Sequence, residues 1–438
     1  MATEGEATEE RSSETRFAAH PLRSVVLGEL HARPFRLVEP PRVVLHYAFE
    51  VVRGASKPDR VWFDDLCRSQ GVPGPGRNAR HHVVPFGSGT LKWERHSEFT
   101  TYSWDGPLAG DQPPLTEIPT GHPFGANFVA PGPLLVAVRV ELVRDTGDLE
   151  AVTRRFEPAS LCVSGAYGGR AVAITDFRQD GDGRSRIVVL DRGLTAQQAG
   201  ALVQRLLEIE TYRTFSLLGL PEAERIGPDV RRIERELAEI TGTIRTSDGL
   251  DANRSLLSDL SRLSADLEAG SAETSYRFGA SSAYHEIVRS RLVAIEETPL
   301  PGYGTWSSFL DRRMGPAIRT VQVTVARQKD LSEKLARAAE LLRTRVDIDV
   351  EQQNRELLES MNRRARQQLQ LQQTVEGLSV AAISYYVVGL IGYLFKAIKE
   401  TLHLGIDATV ATGFAVPFVL VTIYFIVRRI RSAHGGES

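Results

Sequence analysis

The sequence predicts an α+β cytoplasmic head, a helical middle region, a long stalk helix and a C-terminal two-helix transmembrane hairpin. Three observations carry that prediction. Strand-type alternation is confined to residues 20–193. From 194 onward the apolar residues recur at helical spacing. Two uncharged apolar runs, 378–395 and 408–427, then close the pattern, each close to the roughly 20 residues that a bilayer span requires. The boundaries follow: an acidic tail at 1–19, read as disordered, the head at 20–193, the helical region at 194–304, the stalk at 305–377, the hairpin at 378–427 and a basic cytoplasmic tail at 428–438.

In the head, a short amphipathic helix is expected from His20 to Leu30, stopped at Arg33-Pro34. Residues 43–52 are a β-rich apolar run, and a short helix is expected around Trp62 to Arg68, followed by a Gly/Pro-rich loop over 71–76. Residues 89–95 and 98–104 alternate as a half-buried hairpin. The stretch 106–133 is rich in Pro and Gly and reads as loop. Strands are expected at 134–143 and 186–190, with a hairpin over 161–177 turning at Gly168-Gly169. Asp180-Gly-Asp-Gly183 is a turn, too short for a calcium loop and without its distal Glu.

Thr195 is placed to cap a helix running to about Leu218, ended by Leu220-Pro221. Helices are then expected over 222–245, 250–268 and 272–296, with 299–304 as the turn before the stalk. In the stalk, Leu331, Leu335, Ala338, Leu342, Val346, Val350, Leu357, Met361 and Ala365 fall on one stripe that continues through Gln368 and Gln372 to Val375. Its period, about 3.67, is nearer an 11-residue repeat than a heptad. Gly and Pro are absent from 317 to 376, so an unbroken helix from there into the first span would be roughly 115 Å long. One narrow stripe cannot stabilise such a helix alone. It must pack on its own domain, on copies of itself in a coiled-coil-like homo-oligomer, or on both.

The flanks of the hairpin orient it. Arg363, Arg364 and Arg366 precede the first span and Arg428, Arg429 and Arg431 follow the second, whereas the connecting loop sets Lys396 and Lys399 against Glu400 and Asp407. The excess of Arg outside the loop places both termini in the cytoplasm, at a bacterial inner membrane. Tyr393 and Tyr424 stand where they can anchor at the interface, and Pro417 is expected to kink the second span. Ala381, Ala382, Ser384, Gly389 and Gly392 are small enough for close helix approach.

Composition excludes more than it identifies. The formal net charge of −2 over 438 residues leaves no basic footprint for nucleic acid. Cys67 and Cys162 are the two cysteines, without metal or CxxC spacing, as in a reducing compartment. The acidic N-terminal stretch has no apolar core and is not a signal peptide. Walker, GxSxG, HExxH and dinucleotide fingerprints are absent, and no cofactor is indicated by motif. What remains is a carboxylate–imidazole–guanidinium set, Glu29, His31 and Arg33 with Glu94, Arg95 and His96, and Glu98 close by. Brought together, it would form a polar pocket able to bind a metal or an anion or to work as acid and base. The same groups equally describe a buried polar network that fixes the N-terminal segment to the sheet.

His20-Pro-Leu-Arg23 with Glu29-Leu-His-Ala-Arg-Pro-Phe35, Trp93-Glu-Arg-His96, Leu342-Arg-Thr-Arg-Val-Asp347 and Thr374-Val-Glu-Gly-Leu-Ser-Val380 resemble a bacterial family of membrane-anchored proteins of unknown function. The resemblance runs from His20 to the second span and brings no activity with it. The overall plan is also similar to CorA-type divalent-cation channels, by architecture alone. Those channels carry Gly-Met-Asn after the first span; residues 392–403 here contain no Asn. Three classes follow: an oligomeric membrane-anchored scaffold or sensor, a CorA-like cation pathway, and a membrane-tethered enzyme using the His31/His96 region.

Overall fold

A computed structural model describes residues 20–23, 26–27, 36–51, 58–76, 79–108, 113–117, 120–402 and 407–434, the side chains of 58–59, 399–402, 408 and 430–434 excepted. The acidic tail at 1–19 lies outside these residues, as do 24, 25 and 28–30 of the short helix expected from His20; of its described part, the Val26 N–H donates to the Leu22 carbonyl at 2.9 Å, a helical bond. The fold is mixed α+β. A nine-stranded sheet runs β2-β3-β4-β1-β5-β8-β7-β6-β9 in space. Its strands are β1 (Arg42–Glu50), β2 (His81–Phe86), β3 (Gly89–Arg95), β4 (Phe99–Pro107), β5 (Leu134–Arg144), β6 (Cys162–Ala166), β7 (Ala171–Gln179), β8 (Ser185–Asp191) and β9 (Thr298–Pro299). β5 and β8 pair in parallel; the other described ladders are antiparallel. The hairpins expected at 89–104 and at Gly168-Gly169 both form.

Strand pleat sorts the side chains. Along β1, Val43, Leu45, Tyr47 and Phe49 join one core with Trp93, Tyr102 and Trp104, covered by α1 (Pro58–Ser69). A neighbouring cluster on Val163, Val172, Ile174 and Val188 takes in Val152 of α2 (Leu149–Thr153). Between these clusters β5 presents Arg139 and Glu141 as a buried ion pair, whose second carboxylate oxygen accepts the N–H of Leu115 at 2.8 Å. The opposite face, with Val44, Ala48, Val138, Val140 and Leu142, packs under α3 (Ala196–Leu217), α5 (Leu250–Ala294) and the start of α6 (Trp306–Leu402).

The helices begin and end where backbone chemistry dictates. Thr195 and Gln198 form a reciprocal capping box on α3. α3 ends at Leu218, two residues before the expected break. Pro221 then falls in the first turn of α4 (Gly219–Ile244), where a missing N–H costs little. Gly219 allows α4 to cross α5 closely, since a Cβ there would lie 2.5 Å from Ser281 Oγ. Residues 250–294 form one helix where two were expected. The roughly 1 kcal/mol that Gly270 costs is outweighed by burial of Leu267, Thr274 and Phe278 on either side.

α6 starts at Trp306, whose indole is fully buried and donates to the Ala173 carbonyl at 3.2 Å. Glu297 receives the N–H groups of Trp306 and Ser307 at 2.7 and 3.2 Å, a carboxylate at the positive end of the helix. It also accepts from Ser164 of β6, the strand that β9 joins through Ser164–Pro299 and Gly165–Thr298.

Two compact units result. One comprises residues up to 241 and 260–337; the other comprises 242–259 and 338–438. In the second unit Leu342 is fully buried, Arg345 reaches the Ile244 carbonyl at 2.5 Å and Asn253 donates to Asp349 at 2.8 Å. The stripe then changes character. Leu331, Leu335, Ala338 and Leu342 are buried, but Leu357, Met361 and Val375 are about 60% exposed. Two stretches, one within α6 up to Ile398 and the other Thr409–Arg429 in α7 (Ala408–His434), are long and apolar enough to cross a membrane. Only 6% and 11% of their most apolar windows are buried within the chain.

Candidate functional site

The face of the sheet beneath α3 carries polar side chains where a core would be apolar. Alternation along β1, β3 and β4 puts His46, Lys92, Glu94, Thr101, Ser103 and Asp105 on this face, and they line a cavity of about 100 Å³ closed by α3. Val44, Phe99, Val203 and Leu207 supply its apolar wall. Its remaining edge is the segment at Arg36 and Val38, held by the Val38 N–H on the Ala196 carbonyl at 3.1 Å. That approach demands glycine on the helix: a Cβ at Gly200 would lie 1.7 Å from the Arg36 carbonyl oxygen.

His46 is the most constrained group. Its Nδ1 is 2.7 Å from Ser103 Oγ and its Nε2 is 2.9 Å from Thr211 Oγ1. Thr211 spends its one hydroxyl proton on the Leu207 carbonyl at 2.8 Å. Thr211 must therefore accept from Nε2–H, and Ser103 must donate to Nδ1. Burial, helped by the charge of Lys92, holds the imidazole pKa down to about 3. His46 is neutral at pH 7, with both nitrogens occupied.

The charges around it are paired. Asp105 holds Arg36 and Arg42, the latter at 2.5 Å, and Arg36 also donates to Thr90 at 3.1 Å. Lys92 meets Glu94 at 2.9 Å. On α3, Glu208 accepts from Gln204 at 3.0 Å and pairs with Arg291 of α5. Next to the cavity, His96 stacks on Phe99 at 4.1 Å and Phe99 stacks on Phe215 at 4.3 Å. Glu98 binds Arg277 at 2.9 Å. Burial and then the Glu98 carboxylate push the Tyr284 phenol well above its usual range. Charged groups of both signs beside an apolar wall suit a small polar or zwitterionic molecule. Among the described residues no group of three His, Cys, Asp or Glu side chains converges as metal ligands.

Of the residues singled out in the sequence, Glu94 and His96 line this cavity. Arg95 sits between them on the opposite side of the pleat, its N–H on the Arg80 carbonyl at 2.7 Å. Glu29, His31 and Arg33 lie outside the described residues; Arg36, three positions beyond Arg33, is at the cavity. Tyr393, Tyr424, Arg428 and Arg429 are exposed, and only the backbone of Arg431 is described, within α7. His46, Ser103 and Thr211 were missed. The available signal was a histidine at an inward position between Val44 and Ala48.

Compared with known proteins, the chain matches one family model, described as a protein of unknown function (DUF3422), over residues 18–434. No curated protein and no solved structure matches it.

Proposed function

Because the chain belongs to the DUF3422 family, whose function is unknown, we propose a role from its own two units: a membrane-anchored sensor or scaffold that self-associates. The observation that carries this reading is the pairing of two long apolar helices, barely buried, with a water-facing unit that encloses a polar cavity. The helices serve as the anchor. Arg363, Arg364 and Arg366 on one flank and Arg428, Arg429 and Arg431 on the other put both termini in the cytoplasm, and the lipid bilayer is the first partner. The exposed continuation of the α6 stripe, Leu357, Met361 and Val375, is the surface on which copies meet as a homo-oligomer. The cavity at His46 takes a small polar ligand, and its pre-paired charges favour binding over catalysis. A CorA-like cation pathway is the weaker proposal, because residues 392–403 lack an Asn. A membrane-tethered enzyme is weaker still, because His46 is saturated and His96 is stacked against Phe99.

Alkaline carbonate extraction of membranes carrying the full chain tests the anchor. The protein is expected in the pellet, and a variant truncated after residue 376 in the supernatant. Release of the full chain by carbonate would refute the reading.

A further inference from the structure

Within the first unit, α4 and the upper part of α6 line a groove of about 830 Å³. Each wall contributes a Gly-Pro pair inside its helix, Gly227-Pro228 in α4 and Gly315-Pro316 in α6. A proline within a helix withdraws one backbone N–H, and both Gly-Pro pairs lack side-chain bulk at their glycines on the groove side. Ala223, Val230 and Val323 form the apolar floor.

The rim is basic. Arg312, Arg319 and Arg327 recur every seven or eight residues along one face of α6, roughly 11 Å apart at 1.5 Å per residue. Arg231 lies across from them on α4. Its guanidinium reaches back over the groove wall, with Nη1 3.3 Å from where a Cβ at Gly227 would stand, so that glycine clears the space it occupies. The carboxylates of the groove are Glu224 and Asp311, and none of the four arginines forms an ion pair or hydrogen bond with a described residue. Several other arginines of this unit, Arg36, Arg139, Arg186, Arg213, Arg225 and Arg277, are held by carboxylates.

We propose that this groove binds a small soluble polyanion carrying two or more phosphate groups. Guanidinium forks match phosphate oxygens in pairs. Arginines about 11 Å apart along one wall, with Arg231 on the other, have side chains long enough to engage neighbouring phosphates together. A single phosphate would leave half of the rim unused, so affinity should rise steeply with phosphate number.

Calorimetric titration of the detergent-purified full chain with tripolyphosphate tests this. Saturable binding is expected, much tighter than for orthophosphate and weakened by salt. The Arg319→Gln/Arg327→Gln variant should lose at least about tenfold in affinity per guanidinium removed. Its melting should be unchanged, because both side chains are exposed. Arg363→Gln/Arg364→Gln, which removes two arginines outside the groove, should bind like the wild type. Absence of tripolyphosphate binding to the wild type overturns the proposal. So does equal loss in the two double variants, or binding seen only with vesicles of phosphatidylglycerol and not with the soluble anion.

Discussion

The Nε2–H of His46 donates to the hydroxyl of Thr211 at 2.9 Å, joining β1 to α3 across 165 residues of sequence. This bond makes the floor and roof of the cavity a single polar unit. It also gives the protein a defined response to acid.

Folded His46 titrates at about 3 and unfolded histidine at 6.5, so the depressed value favours the folded state at neutral pH. As pH falls below 6.5 the unfolded chain takes up a proton that the folded chain refuses. Stability should then decline by up to about 1.4 kcal/mol per pH unit from this group, a loss complete near pH 3. Thermal melts of wild type and His46→Asn between pH 6.5 and 5, above most carboxylate titrations, should show a flatter profile for the variant. Parallel profiles would remove His46 from the acid response.

Thr211→Val keeps the shape of the side chain and deletes the acceptor. The Nε2–H is then buried unsatisfied, and the variant should lose about 1–3 kcal/mol at neutral pH. A smaller loss in the His46→Leu/Thr211→Val double variant than the sum of the singles is the expected signature of direct coupling.

Gly200→Ala should be among the most damaging single-atom additions in the first unit. The new Cβ would meet the Arg36 carbonyl oxygen at 1.7 Å, and backbone cannot swing aside as a flexible side chain can. A loss of about 1–3 kcal/mol or more is expected. Protease sensitivity near Arg36 should rise with it.

Leu342 and Leu357 lie on one stripe but answer different questions. Leu342 is fully buried within its own unit, so Leu342→Asp should unfold that unit locally, costing several kcal/mol. Leu357 is 60% exposed, so Leu357→Asp should leave the melt intact and shift the detergent-purified protein to a smaller species on light scattering. An unchanged mass would discard self-association through this face.

Reporter fusions can check the orientation proposed from the arginine flanks. Fusions at Ser438 and just before Ala317 should both report cytoplasm, and a tag at Thr401 should be accessible from outside. Protection of the Thr401 tag would rule out the hairpin topology.

Much of the fold was legible because it rests on local rules. β3 and β4 follow from alternation over 89–104, α3 from Thr195 and Gln198, and α6 from an uninterrupted periodic stripe. Errors came where tertiary burial overrides a local signal. Gly270 reads as a break until Leu267 and Phe278 are seen to be buried around it. The cavity was half legible. Glu94 and His96 stand out as polar residues in an alternating strand, and the same alternation should have placed Arg95 on the far side. Thr211 could not be found, since nothing in sequence links it to His46 across 165 positions. For the same reason the stripe shows that α6 needs a partner but not where its own unit stops supplying one.

The short β9 strand also bears on biogenesis. β6 gains its outer neighbour only when Thr298 and Pro299 arrive, about 135 residues after Ser164. At typical rates of translation the edge of β6 waits on the order of ten seconds for that neighbour. The Trp306 anchor, on Ala173 of β7, comes later still. An unpaired strand edge of that age is a template for wrong pairing. The growing chain should therefore depend on a chaperone through this interval, and ribosome-bound chains halted before residue 298 should be aggregation-prone where those halted beyond residue 340 are not.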